Sequence, residues 1–170
     1  MNTKQILIAV LLMTSFISFG QFEIHRIETD NSSESYADCF PSSKTIGSKS
    51  SKLVLRKNYY GMSLQLLYAC GDPMSRDYSS EEHANDFRDN NVSFTFYSAS
   101  GKEELTYSTS PTDVELTEIG YEDAVYIFFD KEKLYDYFKK YSKVKITGIG
   151  FGTYTFSLNG FTAAYNSLNK

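Results

Sequence analysis

Cys39, Cys70, His25 and His83 are the whole thiol and imidazole complement of this chain of 170 residues, so nucleophilic, redox or zinc chemistry would have to be built around them. The two cysteines stand apart, without the Cys-x-x-Cys spacing of thiol exchange or the Cys-x-x-Cys-His of haem attachment. In an exported chain, two lone cysteines predict one structural bridge, Cys39 to Cys70. Closing a loop of roughly 30 residues would be worth about 3.5 kcal/mol if chain entropy dominates. The alternative reading is a cysteine nucleophile beside His25 or His83.

His83 stands among Glu81, Glu82 and Asp86, downstream of Asp72 and Asp77. This acidic stretch reads either as a solvated surface or as a partner-binding loop. Structural zinc needs four ligands at fixed spacing, and a calcium loop needs acids at alternate positions with a glycine. Neither pattern is present, so no metal and no cofactor is expected. His25 falls in a strand-like run and reads as a surface or hydrogen-bonded histidine. Gly-x-Ser-x-Gly, a phosphate loop and His-Glu-x-x-His are all missing. A paired-carboxylate hydrolase stays open, because its acids come together only in the fold. Nothing in the spacing of the 21 acids singles out a catalytic pair.

Those residues must be positioned by strands. The chain is rich in Tyr (14) and Phe (13), with no Trp and three prolines, a composition that favours strands over helices. Before the first strand, Lys4 is the only charge, Ile6 to Phe19 is apolar, and Ser18-Phe-Gly20 supplies small residues. That is the pattern of a cleavable signal peptide over residues 1–20, with cleavage before Gln21. The apolar run is short for a membrane span, and no later stretch approaches one. The expected location is therefore secreted or periplasmic. Loss of residues 1–20 removes one Lys and no acid, leaving 16 basic against 21 acidic residues, net −5. An acidic chain disfavours nucleic acid or anionic membrane as partners.

Residues 21–170 suit one domain with a single core. Phe22 to Ile27 predicts a first strand. From Glu28 to Ser51 the chain carries eight serines and no period, and reads as a Ser-rich loop. Leu53 to Lys57 and Met62 to Cys70 flank Asn58-Tyr-Tyr-Gly61 as a hairpin with a four-residue loop. Val92 to Tyr97 and Glu104 to Thr109 form a second hairpin around Ser98 to Lys102. Val114 to Ile119 is a further strand. Between the hairpins, Gly71 to Asn91 is long for a connection. Within it, Ser79-Ser-Glu-Glu82 resembles a capping box leading to Ala84, Phe87 and Arg88, so a short helix that shields a sheet edge competes with the binding-loop reading.

The last third is the most regular. Ala124-Val-Tyr-Ile-Phe-Phe129 is uninterrupted apolar chain and predicts a central strand covered on both faces, with Phe128 in the core. Asp130 is placed to cap a helix whose stripe is Leu134, Tyr137, Phe138 and Tyr141. From Lys143 the period becomes two: Val144 and Ile146, then Tyr154, Phe156 and Leu158, point inward. Phe161, Ala164, Tyr165 and Leu168 give a closing helix. The run Phe156-Ser-Leu-Asn-Gly-Phe-Thr-Ala-Ala164, followed by Tyr165 to Leu168, resembles the end of small secreted β-sandwich domains of the invasion-associated locus B type. The likeness covers about 35 residues from near Tyr137. It implies a signal-bearing, non-enzymatic sandwich that acts outside the cytoplasm.

Together these readings predict a mainly β protein: an antiparallel β-sandwich of eight or nine strands with two or three short helices. The expected role is an exported binding or interaction module at or outside the cell envelope, whose partner is an unspecified protein or surface component. A small secreted hydrolase and a structural envelope component are the alternatives.

Overall fold

The computed structural model describes residues 17–19, 21–29, 32–44, 51–58, 61–71, 85, 87–119, 122–148 and 152–170. The strands are β1 (Ile17–Phe19), β2 (Phe22–Thr29), β3 (Ser32–Cys39), β4 (Ser43–Lys44), β5 (Lys52–Asn58), β6 (Gly61–Gly71), β7 (Val92–Tyr97), β8 (Glu103–Thr109), β9 (Asp113–Ile119), β10 (Glu122–Phe128), β11 (Lys143–Gly148) and β12 (Gly152–Ser157). Helices α1 (Glu132–Lys140) and α2 (Phe161–Leu168) follow β10 and β12, and residues 85 and 87–89, in the connection between β6 and β7 where a short helix was expected, are helical as well. All pairings are antiparallel. They build a seven-stranded sheet in the order β1-β2-β3-β5-β6-β10-β9 and a five-stranded sheet in the order β4-β12-β11-β7-β8.

The expected sandwich is observed, and its core is aromatic. Ile24, Ala37, Leu53, Leu55, Leu64, Leu66, Val125 and Ile127 from the larger sheet meet Phe94, Phe96, Val144, Ile146, Tyr154 and Phe156 from the smaller one in one buried cluster. Rings join the layers edge to face: Phe94 to Phe129 at 4.9 Å and Tyr68 to Tyr154 at 6.3 Å between centroids. This geometry places positive ring edges against negative ring faces. Helix α2 closes one end. Phe161 packs on Phe22 at 5.5 Å and on Phe138 of α1 at 5.2 Å. Gly160 lets the chain enter α2 through φ 92°, a left-handed backbone that costs glycine nothing.

Several expectations are corrected. The Ser-rich loop 28–51 contains strand β3, which pairs with β2 on one side and β5 on the other. Small polar residues mask its alternation: Ala37 and Cys39 are buried, while Tyr36 is half-exposed. Being held between two strands overrides serine's low preference for the sheet. The turn between β5 and β6 has two residues rather than four, since Asn58 pairs with Gly61. The run at 124–129 is next to the edge rather than central. Its Phe129 is fully buried and its Phe128 only partly.

Asp130 does not cap α1, whose N-cap is Lys131. Its Oδ1 instead accepts the Leu64 N–H at 3.3 Å and lies 3.4 Å from the Tyr135 hydroxyl, which donates to Met62 O at 2.7 Å. Tyr135, outside the expected stripe, thereby ties the helix to β6. Burial, and then the Asp130 carboxylate, push its hydroxyl above the usual range, so it stays a donor.

The expected bridge is also corrected, because Cys39 is a free, buried thiol. Cys39 pairs with Leu53 and Leu53 with Leu66, which puts Cys70 two strands over and four residues along. That is about 10 Å across and 13 Å along the sheet, well past the roughly 7 Å between Cα atoms that a disulfide spans. The Cys70 side chain lies outside the described residues. Burial, and to a lesser degree Asp38, push the Cys39 thiol up from 9.0 to about 12. The thiolate is the reactive form and is vanishingly populated near neutral pH. Iodoacetamide should therefore leave the Cys39 peptide unmodified in native protein at pH 8 and label it fully in denaturant, as read by peptide mass mapping. Rapid native labelling would show that the thiol is accessible.

Candidate functional site

One face of the larger sheet is turned away from the smaller sheet, and its residues follow from register. On β3, Ala37 and Cys39 enter the core, so Tyr36 and Asp38 point outward. On β5, Leu53 and Leu55 enter the core, so Lys52, Val54 and Arg56 point outward. By the same alternation Glu23 and His25 of β2, Ser63, Gln65 and Leu67 of β6, and Ala124, Tyr126 and Phe128 of β10 share this face. A second small apolar cluster, Val54, Leu67 and Ala124 with Tyr36 and Tyr126 against it, forms its floor.

A charged network stands on that floor. Asp38 is 4% exposed. One carboxylate oxygen lies 3.1 Å from His25 Nε2, and the other is in a short ion pair with Lys52 Nζ. The His25 ring stacks on Tyr36, 4.7 Å between centroids with 20° between planes. Lys52 lies 5.8 Å from the Tyr36 ring centre and 5.9 Å from that of Phe40. Arg56 sits 5.9 Å from the rings of both Tyr36 and Tyr126, so cations and π-faces alternate across the sheet. Arg56 Nε and Gln65 Oε1 are buried without a hydrogen-bond partner, although Gln65 Nε2 donates to Ser63 Oγ at 3.0 Å. Phe40, at the margin, is 53% exposed.

The Glu23 and Asp38 carboxylates approach each other within 4.8 Å, and Lys52 pairs with the second oxygen of Asp38. A groove of about 260 Å³ opens elsewhere, and Ser42, Ala99, Ser142, Lys143, Ser157 and Asn159 line it. Among the described residues, none that lines it is an acid, imidazole or thiol.

Of the residues singled out from sequence, His25 is in this site and Cys39 is in the core beneath it. Asp72, Asp77, Glu81, Glu82, His83 and Asp86 lie outside the described residues. The nearby described part of that connection is anchored. Phe87 is buried against Tyr68 at 5.7 Å, and Arg88 Nη2 donates to Val114 O of the edge strand β9 at 3.0 Å, the contact expected of an edge cover. Sequence reasoning missed Tyr36, Asp38, Lys52, Arg56 and Tyr126. The alternation at 52, 54 and 56 held a signal, but three different side-chain classes along it obscured any common purpose.

No family model matches the chain, and no curated protein matches its sequence. The fold has a counterpart: the crystal structure of invasion associated protein B from Bartonella henselae superposes with a TM-score of 0.52 at 15% identity, over 92% of this chain and 95% of that one. The similarity establishes a shared sandwich fold. It extends well beyond the C-terminal 35 residues whose motif suggested it, to both sheets.

Proposed function

We propose that this chain is an exported, non-catalytic sandwich module that binds a protein or surface component at or outside the cell envelope, through the outward face of its larger sheet. The observation that carries this reading is the alternation of Tyr36, Arg56 and Tyr126 with Lys52 and exposed Phe40. Tyr and Arg dominate the energetics of recognition surfaces because they combine large contact area with hydrogen bonding. The apolar leader supports export, and the fold shared with an invasion-associated protein agrees with an envelope role. Cleavage before Gln21 would remove β1, a strand at the margin of the sheet.

Protein recovered outside the cytoplasm of the native host should have the intact mass of a chain starting near Gln21. Immobilised, it should capture a surface component that Phe40→Ser and Arg56→Gln variants capture poorly at unchanged melting temperature. An uncleaved, membrane-embedded chain would refute export. Capture unaffected by both substitutions would refute the assignment of the face.

A further inference from the structure

The edge of the same face carries a feature that recognition does not require. Strands β2 and β3 pair with Glu23 directly opposite Asp38, and two carboxylates in that relation repel each other. The pair is joined by His25, two residues from Glu23 on the same face, so that one ligand atom from each of Glu23, His25 and Asp38 lies within 4.8 Å of the others. We propose that these three side chains form a binding site for a divalent transition metal, with Zn2+ the best fit. The inference does not depend on the binding role proposed above.

The donor set and its geometry both point this way. One imidazole nitrogen and two carboxylate oxygens make a three-ligand zinc site that leaves a position for water. Ligands 2.0 to 2.2 Å from a tetrahedral zinc stand roughly 3.3 Å apart, and His25 Nε2 and Asp38 Oδ1 are already 3.1 Å apart. Glu23 is exposed, so its carboxylate can swing in at little cost in packing. The supporting contacts are those that orient metal ligands elsewhere. Lys52 holds Asp38 Oδ2, which directs Oδ1 toward the ion, and the Tyr36 stack fixes the plane of the imidazole. On binding, His25 presents the Nε2 lone pair and carries its proton on Nδ1, so the hydrogen bond to Asp38 is exchanged for a bond from each residue to the metal. The cation also screens the opposed carboxylates.

The test uses the purified chain loaded with Zn2+ and desalted, with Co2+ as the spectroscopic stand-in. One Zn2+ per chain, a raised melting temperature and visible tetrahedral Co2+ bands are expected. His25→Ala and Glu23→Gln should each weaken binding by about tenfold or more, as loss of metal-site residues commonly does. Glu23→Gln alters an exposed side chain without changing its shape, so it reports even if His25→Ala folds poorly. A wild-type chain that emerges without zinc overturns the site. So does binding that is unchanged in Glu23→Gln, which would place the metal elsewhere, for instance at His83.

Discussion

Phe129→Ala is expected to lower stability by about 3 to 5 kcal/mol, the cost of removing a buried Phe and leaving the surrounding core unable to close the gap. Phe129 is fully buried, meets Phe94 of the opposite sheet at 4.9 Å, and donates its backbone N–H to Leu64 O at 2.8 Å. The loss would be a large share of the 5 to 15 kcal/mol typical of a small domain. Phe128→Ala is the control. Phe128 is on the outward face, only half-buried, and its truncation should cost about 1 kcal/mol. Urea denaturation of the two variants at neutral pH measures both. Equal losses would mean that the outward face is as tightly packed as the core.

Lys52→Met is expected to cost about 2 to 3 kcal/mol. It removes the ammonium that pairs with the Asp38 carboxylate, which is buried in the sheet. Breaking a fully buried pair from one side costs about 3 to 5 kcal/mol. The figure is reduced here because the Lys52 side chain is 23% exposed while that of Asp38 is 4% exposed. The double variant Lys52→Met with Asp38→Leu should recover most of the loss, since an apolar pair of similar volume carries no charge to desolvate. A double-mutant cycle in urea gives the coupling directly. A Lys52→Met variant within about 0.5 kcal/mol of wild type would show that water already solvates Asp38.

How far local pattern reaches can be seen strand by strand. Lys143–Gly148 and Gly152–Ser157 were legible residue by residue, because each sends one side chain to the core and the next to solvent. Ser32–Cys39 was illegible. Its serines carry no preference strong enough to signal a strand, and its conformation comes from hydrogen bonds to β2 on one side and β5 on the other. Asp130 shows the same limit from the other side. Its spacing before a helical stripe suggested a cap, yet the nearest donors in the folded chain belong to Leu64 and Tyr135.

What the sequence determined by itself was therefore the fold class, both hairpins and both C-terminal helices, all consequences of periodicities that act within a few residues. The tertiary structure decided the rest: that Phe129 rather than Phe128 is the buried ring, that Cys39 stands too far from Cys70 to be bridged, and that Glu23, His25, Asp38 and Lys52 meet. Strand order and register depend on pairing between residues as far apart as Ser35 and Lys57, and nothing in local spacing encodes which side chains a neighbouring strand will place alongside.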